Sequence, residues 1–193
     1  MSEQIGRFHA EARAEWARLA QALTVPDLVA EVDAAGVSLL AALRAGGKVL
    51  VAGNGGSAAM SSHVAAEFAG KCVRDRDPLP ALSLAESPTA ITAIGNDYGF
   101  EQVFERQVRA HGRRGDVLIV MTTSGSSANI ARALSAARVA GLVTIALTGA
   151  RGGHLREHAE HVLVVPSDYT PRIQEVHLMW THAWCEAVDH AWP

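Results

Sequence analysis

A histidine and a glutamate four residues apart are the strongest candidates for chemistry in this 193-residue sequence. His63 and Glu67 fall in a predicted helix, where that spacing places two side chains on one face. Their neighbours at 64–66 and 68 are apolar. An imidazole and a carboxylate on an otherwise apolar helix could share a metal ion or relay a proton. A surface-exposed pair without a role is the alternative, and the two residues alone do not decide between these interpretations.

Further polar residues lie on the last predicted helix, 171–191. Gln174 and His182 are eight residues apart, hence about 12 Å along a regular helix and roughly 80° around it. They could bind one ion only if the helix start is irregular or if two subunits contribute. By geometry alone, Gln174 and His177 form the better pair. Three histidines stand among charged residues and predict a solvated surface, not a metal site: His154, His158 and His161.

Two loops rich in glycine and hydroxyl residues could bind phosphate. Residues 53–57 (GNGGS) follow the apolar run 48–52, and residues 122–127 (TTSGSS) follow the apolar run 116–121. Each loop precedes a predicted helix, whose first turn offers unpaired N–H groups and the positive end of the helix dipole. A helix cap needs only one hydroxyl. The five hydroxyls of the second loop therefore favour anion binding.

Other interpretations of these loops carry less support. The first loop matches the dinucleotide fingerprint in outline, but that fingerprint needs an acid about 20 residues further on. The nearest suitable acid, Glu86, follows Gly55 by 31 residues. A structural turn is the other alternative, and the absence of a Walker A pattern disfavours a nucleoside triphosphate. Residues 95–99 (GNDYG) predict a polar turn between two helical segments.

Strand and helix patterns alternate along the chain. Apolar runs predict five strands, at 48–52, 79–84, 116–121, 142–147 and 161–165. Alternation with helical segments, among them a short one at 152–160, predicts a parallel sheet covered by helices on both faces. Right-handed crossovers then place every strand-to-helix loop on one edge, where such sheets bind ligands.

Two helical patterns, 3–23 and 27–44, precede the first strand and predict an antiparallel pair that could form an interface. The chain thus divides into an N-terminal helical pair, 1–46, and an α/β domain with a C-terminal helix, 47–193.

Composition excludes several classes of function. The net charge of −3 indicates no excess of basic residues that would bind nucleic acid or an anionic membrane. No apolar run is long enough for a membrane span, and the N-terminus has no apolar core typical of a secretory signal. Two cysteines make no disulfide framework. We therefore expect a cytoplasmic protein.

Six motifs together resemble the SIS (sugar isomerase) family, specifically its phosphoheptose isomerases. They run from about residue 48 to 185: AGNGGSAA with His63 and Glu67, PLPALSL, TAITAIGNDYGFEQVFERQV, GDVLIVMTTSGSSANIARAL, ALTGARGG and VVPSDYTPRIQEVH. The resemblance implies a SIS-type three-layer α/β/α sandwich with a five-stranded parallel sheet, flanked by N-terminal helices. It also implies a homotetramer with active sites near subunit interfaces. The implied reaction is aldose–ketose isomerisation of sedoheptulose 7-phosphate to D-glycero-D-manno-heptose 7-phosphate through an enediol(ate), assisted by one Zn²⁺ per subunit.

The resemblance also assigns roles to individual residues. Glu67 and His182 are the implied acid–base pair. The implied zinc ligands are His63, Glu67, Gln174 and His182, so His182 takes the place that geometry alone gave to His177. The implied phosphate contacts are Ser57, Thr122, Thr123, Ser124 and Ser127. The implied contacts to the rest of the substrate are Asn54, Gly55, Gly56, Glu67, Asn96, Asp97 and Gln174.

Three residues differ from the family pattern, and they leave the identity of the substrate undecided. Met60 and Ser62 stand where an Asp and a Gln are usual, and Lys71 stands where an Arg is usual. Lysine keeps the charge but loses the bidentate fork. An isomerase of another phosphorylated ketose is therefore one alternative. Another is a non-catalytic SIS protein that binds a replication initiator, but such relatives lack the catalytic Glu and His that are present here. A sugar-phosphate-sensing regulator would normally carry a DNA-binding segment, and none is recognised.

Overall fold

Five runs of aliphatic residues form the central sheet of the protein, which a computed structural model describes over residues 1–192. All neighbouring strands are parallel, in the order β2-β1-β3-β4-β5. The strands are β1 Val49–Gly53, β2 Ala81–Ser83, β3 Val117–Thr122, β4 Val143–Thr148 and β5 His161–Val164. The predicted five-stranded parallel sheet is confirmed.

Helices cover both faces of this sheet and give the predicted three layers. The helices are α1 Ser2–Ala22, α2 Pro26–Arg44, α3 Gly56–Ala69, α4 Pro88–Tyr98, α5 Val103–His111, α6 Ala128–Ala140 and α7 Thr170–Ala191, with 3-10 turns at Phe100–Gln102 and Ala150–Glu157. Successive residues of a strand point to opposite faces. In β1, Val49 and Val51 accordingly join the core under α2, α3 and α7, whereas Leu50 and Ala52 join the core under α5 and α6.

Strand register brings the functional loops together. Every residue of β1 and β3 is buried, as expected for central parallel strands covered on both sides. Gly53, the last residue of β1, pairs with Met121 near the end of β3. The loops that follow these two strands therefore start side by side on one edge of the sheet.

The N-terminal helices contribute unequally to the core. Leu39 and Leu43 of α2 are buried under the sheet, whereas Leu19 is the buried apolar residue of α1. The antiparallel pairing of these helices and the domain boundary at residue 46 stay predictions. Among residues 1–192, no helix combines the length and the apolar character that a membrane crossing needs.

The structure corrects two predicted local elements. The prediction of a turn over 95–99 is wrong, because α4 continues through Asn96 and Asp97 to Tyr98. Gly99 then ends that helix with φ at 93°, a backbone conformation that glycine adopts without strain. The helix predicted over 152–160 is instead a 3-10 segment that begins at Ala150 and ends at Glu157.

Candidate active site

The loop between β1 and α3 is shaped by glycines. Gly55 has φ at 57°, a conformation that other residues rarely adopt. Gly53 lies so close to α3 that an added Cβ would be 2.7 Å from the Cβ of Ser57. Ser57 is buried in the first turn of α3, and its N–H donates to the carbonyl of Asn54. Glycine is therefore required at both positions for the loop to turn directly into the helix.

A reciprocal amide pair joins this loop to the next one. The side-chain amide of Asn54 donates to Oδ1 of Asn129 over 3.0 Å, and that of Asn129 donates back over 2.9 Å. Asn129 is buried in the first turn of α6, immediately after the hydroxyl-rich loop. Asn129 was not predicted from the sequence. An amide side chain at the start of an otherwise apolar helix face could have indicated its role.

The hydroxyl-rich loop between β3 and α6 uses some of its hydroxyls internally. Oγ1 of Thr122 accepts the N–H of Gly125 over 3.2 Å, and Oγ of Ser124 accepts from the amide and the hydroxyl of Ser126. Ser127 stands at the N-cap of α6 but its side chain makes no capping hydrogen bond. A free hydroxyl beside the open amides of a helix N-terminus suits an anion. Helix capping therefore does not account for this loop.

His154 supports the same loop from the segment after β4. Its Nε2 lies 3.1 Å from the carbonyl oxygen of Gly125, and its Nδ1 lies 3.2 Å from that of Arg151. The predicted solvated histidine surface is wrong for His161, which is buried and contacts the hydroxyl of Ser38 at 2.9 Å. His154 is thus a contact of the hydroxyl-rich loop that sequence reasoning assigned to a solvated face.

Three titratable side chains meet where α3 lies against α7. Nε2 of His63 is 2.8 Å from Nε2 of His182 and 3.5 Å from Oε1 of Glu67. One potential ligand atom from each of the three residues lies within 4.8 Å of the other two. His63 is exposed and the other two are half-buried. The structure therefore brings together three of the four residues predicted to bind a metal.

The donor set fits a divalent cation such as Zn²⁺. Oε2 of Glu67 is buried, and it has no hydrogen-bond partner within residues 1–192. A buried carboxylate oxygen without a partner is unfavourable, and a cation would satisfy it. Two imidazole nitrogens and a carboxylate are ligands that zinc commonly takes in proteins.

Cys72 is a neighbour of this cluster that sequence reasoning left without a role. Burial and the nearby Glu67 carboxylate raise the pKa of the Cys72 thiol to about 12. The side chain is therefore a neutral thiol at physiological pH.

Gln174, the fourth predicted ligand, lies against the glycine loop. A Cβ added to Gly56 would be 2.6 Å from its Nε2. Gln174 thus faces the first residue of α3, and His182 faces His63 further along both helices. Because α3 and α7 run side by side in the same direction, the eight-residue spacing on α7 is matched by the spacing on α3. This arrangement keeps Gln174 and His182 about 12 Å apart along α7, so the difficulty that a single straight helix posed stays.

His177 faces away from the cluster. It is fully buried, and neither ring nitrogen has a hydrogen-bond partner within residues 1–192. Burial lowers its pKa to about 4, so the ring is neutral at physiological pH.

The remaining predicted residues lie at the periphery. Asn96 and Asp97 are exposed on α4, and the amide of Asn96 donates to the carboxylate of Asp97. Within residues 1–192, no hydrogen bond or ion pair links either residue to the other predicted site residues. Of the residues that depart from the family pattern, Ser62 is hydrogen-bonded to Ser83 over 3.2 Å, Met60 packs on the core and Lys71 is exposed.

A sheet edge that offers hydroxyls and helix amides, beside a histidine–glutamate cluster, is suited to a substrate with an anionic group. A family profile described as SIS domain matches residues 13–149. A phosphoheptose isomerase of Rhodospirillum rubrum is 50% identical over 159 residues, which cover 82% of this chain and 84% of the relative.

Two solved structures agree over nearly the whole chain. A phosphoheptose isomerase from Neisseria gonorrhoeae is 40% identical with a TM-score of 0.85, covering 98% of both chains. One from Francisella tularensis is 36% identical with a TM-score of 0.86, covering 97% of this chain and 98% of that one. The chain belongs to the SIS-domain family and, within it, to the phosphoheptose isomerases. It is therefore an isomerase.

Proposed function

We propose that the protein interconverts sedoheptulose 7-phosphate and D-glycero-D-manno-heptose 7-phosphate through an enediol(ate), with the assistance of zinc. The observation that carries this proposal is the cluster of His63, Glu67 and His182, in which a buried carboxylate oxygen has no partner among the described residues. Relatives that are about 50% identical to this chain over more than four fifths of its length carry the name of this activity.

The hydroxyl-rich loop binds the phosphate end of the substrate. The proposed contacts are Ser57, Thr122, Thr123, Ser124 and Ser127. Asn54, Gly55 and Gly56 hold the sugar hydroxyls from the adjoining loop, and Asn96 and Asp97 complete this set from α4. Binding a phosphate remote from the reacting carbons supplies energy that orients the reacting end of the sugar.

Glu67 and His182 move the protons. Conversion of the ketose to the aldose takes one proton from C1 and delivers one to C2, and it transfers a hydroxyl proton from O1 to O2. The carboxylate of Glu67 takes the proton from carbon as the general base. The imidazole of His182 exchanges protons with the two substrate oxygens.

His63, Glu67, Gln174 and His182 would hold one Zn²⁺ per subunit. When bound, this ion would polarise the carbonyl group as a Lewis acid. Gln174 contacts Gly56, seven residues before His63 on α3, so it would join the other three ligands only if its side chain reached along α7 toward His182.

The active unit we propose is a cytoplasmic homotetramer with its sites near subunit interfaces. Ile5 and Phe8 of α1 are more than half exposed, and Met179 is exposed three residues before His182. Apolar side chains in these positions suit burial against other copies of the chain. The free thiols of Cys72 and Cys185 suit a reducing compartment.

Isomerisation by the metal-loaded protein tests the proposal. We expect zinc-loaded protein to form aldose from sedoheptulose 7-phosphate, and Glu67→Gln to abolish this while still binding the sugar phosphate. Glu157→Gln, at an exposed glutamate on the 3-10 segment, is the matched control and should remain active. Absence of turnover with or without zinc contradicts the proposed function. Turnover of a different phosphorylated ketose alone would reassign the substrate, and an active Glu67→Gln variant would reject Glu67 as the base.

A further inference from the structure

We propose that Arg76 and Asp189 are positioning residues, which hold the end of α3 against α7. In this way they fix the relative positions of His63, Glu67 and His182. The inference rests on the proposed function for the role of that cluster in catalysis. Neither residue belongs to the predicted site. Their side chains are fully buried, with Nε of Arg76 2.9 Å from Oδ1 of Asp189.

Asp189 binds the chain segment that leaves α3. Its Oδ2 accepts three consecutive backbone N–H groups, from Cys72 at 3.0 Å, Val73 at 2.7 Å and Arg74 at 3.0 Å. Burial opposes the charge of this carboxylate, but the hydrogen bonds from Val73, Arg74 and Arg76 outweigh it and lower its pKa. Asp189 lies seven residues after His182 on α7, so the two are carried by one rigid helix about two turns apart.

Arg76 binds the end of α3 itself. One terminal nitrogen donates to the backbone carbonyl of Glu67, and the other donates to that of Phe68, both over 2.9 Å. These carbonyls belong to the last turn of α3, where helix geometry supplies no partner. The guanidinium therefore holds the backbone of the residue whose side chain is the proposed base.

These contacts form a third point of alignment between the two helices. Gly56 meets Gln174, His63 meets His182, and the residues after α3 meet Asp189, in the same order along both helices. A displacement of α3 along α7 would separate the imidazoles of His63 and His182. Metal and catalytic groups must be held to within about 0.5 Å. A multiply bonded, buried ion pair supplies that restraint.

A role in geometry can be separated from a role in stability. Replacing a buried ion pair by apolar residues often leaves stability unchanged, whereas removing one partner is strongly destabilising. The double variant Arg76→Met/Asp189→Leu removes the alignment without leaving an unpaired buried charge, and circular dichroism checks that it still folds after the backbone N–H groups of residues 72–74 lose their acceptor. Arg76→Lys is a milder second variant, because lysine retains the charge but cannot bond both α3 carbonyls and Asp189 in the guanidinium geometry.

Asp116→Asn is the matched control. Asp116 is a buried carboxylate that pairs with Lys48 and accepts the backbone N–H groups of Lys48 and Arg113, at 3.0 and 2.7 Å. It lies immediately before β3, at the opposite edge of the sheet from the site. This variant reports the loss of a part-buried ion pair that does not touch α3 or α7.

Three measurements on the full-length proteins test the inference. We expect both Arg76 variants to weaken zinc binding about tenfold to hundredfold in chelator competition, as loss of ligand-orienting contacts does elsewhere. We expect kcat to fall by a similar factor, with little change in KM because the phosphate loop is untouched. In metal-free protein labelled at histidine, the nuclear Overhauser contact between the rings of His63 and His182, 5.1 Å apart at their centroids, should disappear. Asp116→Asn should retain all three properties whatever its thermal stability.

The outcomes are distinct. If folded Arg76→Lys and the double variant keep wild-type zinc affinity and the ring contact, the inference is wrong, even if both melt earlier. If Asp116→Asn loses the same properties, the effect is one of general stability and the inference is also wrong. If wild-type protein neither binds zinc nor isomerises a sugar phosphate, the proposed function fails. The ring contact in metal-free protein then still decides whether Arg76 and Asp189 set the cluster.

Discussion

Gly56 offers a way to move one site residue while leaving the fold intact. In Gly56→Ala, the new Cβ would stand 2.6 Å from Nε2 and 3.0 Å from Oε1 of Gln174, whereas ordinary contact begins at 3.4 Å. The amide of Gln174 is the flexible end of a side chain, so it yields rather than the backbone. Gly56 is not among the residues with positive φ and opens α3, so alanine suits its backbone.

The expected effects on activity and stability have opposite signs. The amide of Gln174 must move by about 0.8 Å, and a misplacement near 1 Å can cost about 100-fold in rate. That factor corresponds to about 2.7 kcal/mol in the activation free energy. Alanine is a better helix former than glycine, so the free energy of unfolding should stay the same or rise by up to about 1 kcal/mol.

Steady-state kinetics and urea denaturation of Gly56→Ala measure the two effects. Gly153→Ala is the control, because a Cβ there meets no atom within 4 Å. In a Gln174→Asn background, whose shorter side chain leaves room for the methyl group, Gly56→Ala should cost little further activity. If Gly56→Ala keeps kcat within about threefold of wild type, the reasoning that ties this glycine to Gln174 is refuted.

Two further predictions concern the loop bridge and the buried histidine. Asn129→Ala removes two hydrogen bonds worth about 1 kcal/mol each, so urea denaturation should show a free energy of unfolding lower by about 2 kcal/mol. Steady-state kinetics should show a raised KM for the sugar phosphate. An unchanged KM would show that Asn54 keeps its place without this partner. The pKa of His177 is about 4 in the folded protein and 6.5 in the unfolded chain, so the unfolded chain binds more protons between these values. The free energy of unfolding should therefore fall by up to about 3 kcal/mol as the pH drops from about 6.5 to 4. His177→Leu should flatten this dependence between pH 7 and pH 4.5, and an equal slope in both proteins would contradict the assignment.

Local patterns in the sequence were sufficient for the sheet and for the two loops at its edge. Aliphatic runs such as 116–121 mark buried parallel strands, and glycine or hydroxyl clusters directly after them mark the edge. The spacing of His63 and Glu67 likewise encodes one helical face. The turn predicted over 95–99 failed because the helix continues through Asn96 and Asp97 to its end at Gly99.

Contacts between distant parts of the chain were not predictable in this way. Asn54 and Asn129 are 75 residues apart, and Arg76 and Asp189 are 113 apart. No periodicity relates such residues, because only the packing of α3, α6 and α7 on the sheet brings them together. The contacts of Gln174 with Gly56 and of His182 with His63 were not predictable for the same reason, since they depend on the direction of α3 beside α7.

The direction of α3 has a consequence for the length of the substrate. Under the proposed function, Ser57 holds the phosphate and His63 flanks the reacting carbonyl, and the two are six residues apart on one continuous helix. Their backbones are therefore separated by about 9 Å along an axis that does not stretch. The helix therefore selects substrates by length. A sugar phosphate with too few carbons between its carbonyl and its phosphate can occupy only one end of the site at a time.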